Sequence, residues 1–240
     1  MNQKVSFIIP TYNESTHIRD ILDKFIAWCS KYNYEIVIVD DSNDETVEVI
    51  SQYTREKKLN TVKLIKGARK GKGNAIKIGL SEATGEIIFY LDADLVIPLE
   101  NIDVFISEIN NNNVDVVIGK RLLRFKHRNI FRLILSVGLF LIQRLFIFNS
   151  SFFYDTQCGF KAFTNMAAKK IAPKQTVNGG MFDVEILYIA RLLDLKISQI
   201  QIIPGPELRE TKIRLLSCLI KDPIDLLKIK INSLLGKYKV

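Results

Sequence analysis

Five short runs of consecutive apolar residues divide the first half of the chain, and they constrain its fold more than any other feature. These runs are VSFIIP (5–10), YEIVIVD (34–40), TVKLIK (61–66), EIIFYLD (86–92) and VDVVIG (114–119), and helical patterns separate them. Strands that are apolar on both faces are typical of parallel sheets covered by helices on both sides. We therefore predict an α/β domain with a mostly parallel sheet.

Polar clusters directly follow three of the predicted strands, namely TYNE (11–14), DDSND (40–44) and DAD (92–94). Ligands of open α/β sheets bind beyond the carboxyl ends of the strands. Asp92 and Asp94 would repel each other unless a cation lay between them. Carboxylates without His or Cys favour Mg²⁺ or Mn²⁺, completed by substrate phosphates. We expect such a metal here, with a turn or helix cap as the alternative role for each aspartate.

Charge and residue usage narrow the classes of function. The net charge of +8 favours an anionic partner, which is nucleic acid, a phosphate-bearing ligand or an acidic membrane. Phe125 alone among the basic residues 119–128 is poor support for nucleic acid. GARKGKGNA (67–75) does not fit the phosphate-loop pattern, and two histidines give little support for Ser-His or zinc chemistry.

Cysteine usage and the first residues bear on the compartment. The three cysteines show no CxxC spacing, and a strand-like run begins after four residues, which leaves no room for a signal peptide. We therefore expect a cytoplasmic protein. The 240 residues contain no repeat or flexible linker, so one main domain is expected.

Residues 128–148 are the most apolar stretch of the chain. The uncharged core between Arg132 and Arg144 is shorter than the ~20 residues that cross a bilayer. Helical periodicity puts a narrow polar stripe on one side, formed by Arg128, Arg132, Ser136 and Gln143. The segment is therefore either an interfacial helix lying against lipid or a helix of the core.

The C-terminal residues 213–240 predict an amphipathic helical tail. Asp222 is the expected N-cap, Pro223 the first helical residue and Gly236 the stop. A polar face (Asp225, Lys228, Asn232) lies opposite an apolar one (Ile224, Leu227, Ile231, Leu234). A surface helix of a soluble protein and a membrane-bound helix share this pattern, so both remain open.

Taken together, the motifs resemble the family 2 glycosyltransferases of the GT-A fold. FIIPTYNE resembles the opening strand of that family, IVIVDDSNDET its base-binding turn, GKGNAIKIGLSEATGEIIFYLDAD its helix and metal strand, and GKR its arginine-bearing strand. DTQCGFKAF and GGMFDVEILYIA resemble motifs of the polyprenyl-phosphate (dolichyl-phosphate) mannose and glucose synthases. Their sequences are closer to those of the glucosyl members. Two positions depart from the pattern: Ser42 stands where glycine is usual, and Val96 where mannose-type members often carry glutamine.

The resemblance implies roles for individual residues. The nucleoside would be held by Pro10, Tyr12, Glu14 and Asp41, and Mg²⁺ or Mn²⁺ on the donor diphosphate by Asp92 and Asp94. The donor, sugar and acceptor side would be lined by Lys72, Asp155, Gln157, Asp183 and Glu185. Because two anions that are brought together need positive charge between them, we expect phosphate clamps at Arg121, Arg132, Arg209 and Lys212.

The implied activity is the inverting transfer of glucose or mannose from UDP-glucose or GDP-mannose to a polyprenyl (dolichyl) phosphate. The reaction would occur at the cytoplasmic face of a membrane, and residues 1–212 would form the catalytic domain. A membrane-anchoring protein is a possible further partner. Two alternatives remain: a protein, glycan or diacylglycerol acceptor, or a non-catalytic protein that binds nucleotide sugars or serves as a membrane scaffold. Nucleic acid is not an expected partner.

Overall fold

The structure is a computed structural model that describes residues 3–122, 138, 143–148, 155–205 and 215–239. The strands within these residues are β1 (Lys4–Thr11), β2 (Asn33–Asp40), β3 (Val62–Lys66), β4 (Ile87–Leu91), β5 (Val116–Arg121), β6 (Phe160–Thr164) and β7 (Ile197–Ile202). They form one sheet in the order β3-β2-β1-β4-β6-β5-β7. Every neighbouring pair is parallel except the two pairs that involve β6. The predicted α/β fold with a mostly parallel sheet is confirmed.

The α-helices of the described residues are α1 (Ile18–Cys29), α2 (Thr46–Glu56), α3 (Lys72–Glu82), α4 (Asn101–Asn112), α5 (Asn165–Ile171), α6 (Phe182–Leu192) and α7 (Leu215–Leu234). A 3-10 turn follows α5 at Ala172–Lys174, and a π-helical turn spans Gln143–Phe148. The side chains of α7 are described from Lys221 onwards. No helix in the described part of the chain combines the length and the apolarity that a bilayer crossing requires.

The central strands are apolar on both faces because each face packs against its own core. One core joins Phe7 and Phe89 to Phe25 of α1 and Phe105 of α4. The other joins alternate strand residues to α3, α5 and α6, and it includes Ile8, Tyr90, Ile76, Ala168 and Ile186. Burial on both sides makes the sheet a rigid base, so the turns at its carboxyl edge hold their side chains in fixed positions.

Three parallel strands end at the same edge of the sheet. Thr11 at the end of β1 pairs with Asp40 at the end of β2, and β4 runs beside β1 on its other side. Strand β6 enters antiparallel, so its first residue, Phe160, pairs with Leu91, the last residue of β4. The three polar clusters that follow β1, β2 and β4 therefore meet at one edge.

The prediction that Asp222 caps the last helix and that Pro223 begins it is wrong. Helix α7 begins at Leu215 and continues through Pro223. A proline inside a helix removes one backbone hydrogen bond. The burial of Leu226 and Ile229 in the core shared with α6 outweighs that loss, since tertiary packing supplies most helix stability. The predicted stop is confirmed, because α7 ends at Leu234 and Gly236 follows with a positive φ of 72°.

Most of the predicted interfacial helix at 128–148 lies outside the described residues, as does the expected boundary after residue 212. Within the described part, Gln143, Ile147 and Phe148 are buried. Gln143 Oε1 accepts a hydrogen bond from Thr156 Oγ1 at 2.7 Å. At these three positions the segment packs into the protein, as the core alternative predicts.

Candidate active site

The turns after β1 and β2 are fastened to each other. Asp40 accepts hydrogen bonds from Thr11 Oγ1 (2.5 Å) and from Ser42 Oγ (2.7 Å). Ser42 Oγ in turn accepts from the backbone N–H of Asn13 at 2.7 Å. Asn13 has a φ of 53°, a left-handed conformation that asparagine tolerates. Ser42, which stands where the family usually has glycine, therefore links the ends of two strands.

Asp41 shapes the loop that precedes α3. Its Oδ1 accepts from the backbone N–H of Arg69 and its Oδ2 from that of Gly71, both at 3.0 Å. Gly71 has a φ of 105°, and a Cβ there would lie 2.8 Å from the carbonyl oxygen of Asn178. Only glycine fits this position without strain. The buried Asp41 carboxylate thus acts first as a turn ligand, the alternative role that the sequence left open.

Lys72 and Asp92 form an open ion pair at the carboxyl edge. Their side chains are 41% and 40% exposed. Asp94 is exposed two residues further on, where its Oδ1 accepts from the N–H of Val96 at 3.3 Å. Burial by itself lowers the pKa of Lys72, but the carboxylates of Asp92, Asp183 and Asp94 outweigh burial and raise this pKa. Negative charge therefore dominates the surroundings of Lys72.

Asp92 and Asp94 are the residues expected to hold a divalent cation. Across the described ranges, no group of three or more His, Cys, Asp or Glu side chains is placed to bind a metal. Mg²⁺ and Mn²⁺ are commonly held by one or two carboxylates, with water and substrate phosphates as the other ligands. The two exposed carboxylates fit this kind of site, and the ammonium of Lys72 contacts Asp92 where a cation would be favoured.

A second lysine–aspartate pair lies buried beside the open one. Lys161 of β6 donates to Asp183 Oδ1 (2.5 Å), to Tyr90 Oη (2.7 Å) and to the carbonyl oxygen of Cys158 (2.7 Å). Tyr90 also donates to Asp183. Burial lowers the pKa of Lys161 and raises the pKa of Asp183, since it disfavours both charged forms. The pair has no net charge whichever atom carries the proton.

Lys161 and Tyr90 were not among the predicted site residues. A signal for Lys161 was present, because it is a lone charge in the apolar stretch GFKAF. A charge in such a stretch indicates a buried partner. Asp183 was expected to line the sugar and acceptor side, and its buried carboxylate accepts hydrogen bonds from Lys161 and Tyr90.

Arg121 is oriented by Asp155. Its Nε donates to Asp155 Oδ2 at 2.7 Å and its Nη2 to Oδ1 at 2.9 Å, which is a two-pronged ion pair. Burial opposes the charge on Arg121, but Asp155 more than compensates and raises its pKa. The guanidinium therefore remains charged and is held in one orientation at the end of β5, two residues from Gly119 of the predicted GKR motif.

The remaining predicted residues fall into two groups. Pro10, Tyr12 and Glu14 lie at the end of β1, on the same edge as Asp41, and Gln157 is exposed in the loop before β6. Glu185 is fully buried and is not brought to this edge. Its carboxylate accepts from the N–H groups of Thr176 (2.9 Å) and Val177 (2.7 Å), and from Thr176 Oγ1 (2.6 Å) and Tyr238 Oη (2.6 Å). Three predicted clamps, Arg132, Arg209 and Lys212, lie outside the described residues.

The mixed sheet with carboxylates at the ends of β2 and β4 is a GT-A fold. A crystal structure of glucosyl-3-phosphoglycerate synthase from Mycobacterium tuberculosis, in complex with Mn²⁺, UDP-glucose and phosphoglyceric acid, matches it with a TM-score of 0.68. The match covers 99% of this chain and 80% of that chain at 15% sequence identity, so it shows the fold alone.

The chain belongs to glycosyl transferase family 2, whose family model matches residues 6–172. Similar curated proteins include the dolichyl-phosphate beta-glucosyltransferase ALG5D of Trichomonas vaginalis, 34% identical over 95% of this chain and 73% of that protein. The dolichyl-phosphate beta-glucosyltransferase of Saccharomyces cerevisiae is 33% identical over 98% of this chain and 76% of its own length. The human protein of the same name is 29% identical over 99% of this chain and 78% of its own length. The predicted family and the glucosyl branch agree with these relatives.

Proposed function

We propose that this protein transfers glucose, with inversion, from UDP-glucose to a polyprenyl phosphate of the dolichyl type at the cytoplasmic face of a membrane. Membership of glycosyl transferase family 2 supports the class of reaction. The names of the relatives support glucose over mannose and dolichyl phosphate over other acceptors. The observation that carries the proposal is that the turns after β1, β2 and β4 meet at one edge, with Asp41, Lys72 and Asp92 facing it.

The nucleoside of the donor would bind at the turns after β1 and β2. The ring of Tyr12 is half exposed there, between Pro10 and Glu14. Both Asp41 oxygens already accept one backbone N–H, and each retains a second lone pair for a ligand donor. Asp41 would thus hold the loop before α3 in place while accepting a hydrogen bond from the nucleoside.

The diphosphate would bind at the open pair of Lys72 and Asp92. Asp92 and Asp94 would hold Mg²⁺ or Mn²⁺, and the cation would offset the charge that develops on the leaving nucleotide. Lys72 would exchange its contact with Asp92 for one with a phosphate oxygen, since its positive charge is favoured next to either anion. Both side chains are exposed enough to make this exchange.

The acceptor needs no protein base. A phosphate monoester has a second pKa of about 6, so its oxygen is already largely ionised at neutral pH. What the acceptor does need is positive charge, because it must approach a donor that is itself an anion. Arg121, oriented by Asp155, would supply that charge from the described residues. Contributions from Arg132, Arg209 and Lys212 stay predictions.

The proposal is tested by incubating the purified protein with UDP-glucose or GDP-mannose, Mn²⁺ or Mg²⁺, and polyprenyl phosphate. We expect mass spectrometry of the lipid fraction to show a hexosyl phosphate lipid with UDP-glucose, and excess EDTA to abolish it. Mild acid should release the sugar, because a glycosyl phosphate is labile where an ordinary glycoside survives. An acid-stable product would indicate a different acceptor class, and the absence of transfer from either donor would reject the proposal.

A further inference from the structure

Helix α7 turns polar side chains towards the protein and large aliphatic side chains away from it. Asp222 and Asn232 are buried together with Leu226 and Ile229. A surface helix of a soluble protein normally has the opposite arrangement, with its polar face in water. The structure therefore decides which face of the amphipathic tail points outward.

The outward face of α7 carries a row of aliphatic residues, here called the apolar ridge. Its members are Ile224, Leu227, Ile231, Leu234 and Leu235, and they are between 46% and 77% exposed. Their spacing places them on one side of the helix. The other exposed large apolar residues of the described structure are Tyr12, Val104, Leu122, Met166, Leu192 and Ile203, which come from six separate parts of the chain. Single exposed residues are normal, whereas a contiguous row marks an interaction surface.

The orientation of α7 is fixed by hydrogen bonds between its side chains and the rest of the protein. Asn232 Nδ2 donates to Thr176 Oγ1 and Lys228 Nζ to the carbonyl oxygen of Thr176, both at 2.9 Å. Tyr238, just beyond the helix, donates to Glu185 at 2.6 Å. Rotating the ridge inward would break these bonds and bury Lys228, so the apolar face cannot turn away from solvent.

The charges around the ridge are positive. Both acidic residues of 221–239, Asp222 and Asp225, lie on the inner side against Gly180 and Gly179. The exposed charged residues of this stretch are Lys221, Lys228, Lys230, Lys237 and Lys239. By helical periodicity Lys221 and Lys230 lie on opposite edges of the ridge. An apolar row between lysines complements a bilayer with anionic headgroups, in which aliphatic side chains enter the acyl boundary and ammonium groups reach phosphates.

We propose that the apolar ridge of α7 docks on the surface of an anionic lipid bilayer, with the helix lying in the plane of the interface. The choice of a bilayer over a protein partner rests on the proposed function, because a polyprenyl phosphate acceptor is itself held in a membrane. The positive charge at both edges of the ridge supports the same choice, since a second copy of this chain would bring lysines against lysines.

Docking of α7 would also fix the position of the donor site relative to the bilayer surface. The segment 175–178 contacts α7 through Thr176 and contacts the start of α3 on its other side. There, Gln175 Nε2 donates to the carbonyl oxygen of Gly73 at 2.7 Å, and the N–H of Gly73 donates to the carbonyl oxygen of Asn178 at 3.0 Å. Lys72 precedes Gly73 in the chain. One short segment therefore connects the lipid-facing helix to the open ion pair.

The test is vesicle binding by the full chain and two matched double variants. Leu227→Glu with Leu234→Glu places two charges on the ridge. Val104→Glu with Met166→Glu places the same charges on exposed apolar residues of α4 and α5. Flotation with vesicles of phosphatidylcholine alone, or with phosphatidylserine added, gives the bound fraction, and thermal melts verify folding.

We expect the unaltered chain to bind vesicles containing phosphatidylserine, the ridge variant to bind at least tenfold more weakly, and the α4/α5 variant to bind like the unaltered chain. Equal binding by both variants, or no binding by the unaltered chain, would overturn the proposal. So would sedimentation showing that the ridge variant loses a dimer but keeps its lipid binding.

Transfer to a short isoprenyl phosphate that stays in solution should survive in the ridge variant. If the unaltered chain transfers no glucose to any acceptor, the proposed function is rejected. Binding of that chain to vesicles would still support membrane docking of the apolar ridge.

Discussion

Two lysine–aspartate pairs lie near the end of β4, and they differ mainly in their access to water. Lys161 and Asp183 have side chains that are 0% and 5% exposed, whereas those of Lys72 and Asp92 are 41% and 40% exposed. Tyr90, two residues before Asp92, contacts the buried pair. The chemistry of the two pairs is the same, so their different surroundings decide what each can do.

The buried pair cannot exchange partners, because an uncompensated charge in the interior is costly. It instead fixes the segment 158–161, whose Gly159 lies so close to Asp92 that a Cβ there would overlap the carboxylate. The open pair loses little when it separates, since water can replace each partner. The buried pair therefore positions the strand end, while the open pair is available to a ligand.

The largest effect is expected from breaking the buried pair with Lys161→Met. This change leaves the buried Asp183 without the amino group that contacts it, and removing one member of a buried pair of this kind typically costs about 3–5 kcal/mol. We expect urea denaturation to show a loss of stability of this size. The double variant Lys161→Met with Asp183→Asn should recover part of it, because the unpaired charge is gone. A loss below about 1 kcal/mol in the single variant would contradict the assigned role, as it would equal an ordinary surface change.

Breaking the open pair should affect activity and leave stability almost unchanged. Asp92→Asn keeps the shape but removes the charge that would hold the metal, and a lost contact of this kind costs about 10² to 10³ in rate. The stability change should stay within the 0–1 kcal/mol of an exposed ion pair. The matched control is Glu82→Gln, which breaks the exposed pair with Lys63 at 2.6 Å. If Asp92→Asn and Glu82→Gln have equal activity, Asp92 is not part of the reaction site.

The positions of the two kinds of aspartate show what could be predicted from sequence. Asp41 and Asp92 were placed at the sheet edge correctly, because continuous apolar runs reveal buried strands and their ends. Strands β6 and β7 were not predicted. Strand β6 (FKAFT) is interrupted by the charged Lys161, and β7 (ISQIQI) alternates polar and apolar residues as an edge strand does, so neither has the continuous pattern.

Contacts between distant segments could not be predicted in the same way. Asp183 and Glu185 follow a glycine pair in GGMFDVE, which suggests an exposed turn, yet both are enclosed by residues far away in sequence. Lys161 and Tyr238 are their partners, 22 and 53 residues away. A single sequence does not show which distant residues contact each other. The outward face of α7 is likewise determined by a contact between distant segments, the hydrogen bond from Asn232 to Thr176.

Asp41 combines features of both pairs, because its carboxylate is buried and bonded to backbone yet lies at the edge of the candidate site. In Asp41→Ala, two backbone N–H groups, of Arg69 and Gly71, would lose their carboxylate acceptor, and a hydrogen bond to a charged group contributes about 1.5–3 kcal/mol. We expect lower stability together with a higher KM for the nucleotide sugar, since the loop before Lys72 would loosen. Asp41→Asn keeps one carbonyl acceptor, so its stability should lie between those of the unaltered chain and Asp41→Ala. Urea denaturation and steady-state kinetics test this, and unchanged stability in Asp41→Ala would show that the loop is held by other contacts.

The smallest effect is expected at Ser42, where the chain departs from the usual glycine. Its hydroxyl donates to Asp40 and accepts from Asn13, so Ser42→Ala removes one link between the ends of β1 and β2. A net hydrogen bond contributes about 0.5–1.5 kcal/mol, and we expect a loss of that size. Ser42→Gly should lose slightly more, because glycine also gains conformational freedom in the unfolded chain. Since Asp40 keeps its bond from Thr11, the donor KM should change less than that of Asp41→Ala. If Ser42→Ala melts like the unaltered chain while Ser42→Gly does not, the backbone at this turn, and not the hydroxyl, joins the two strand ends.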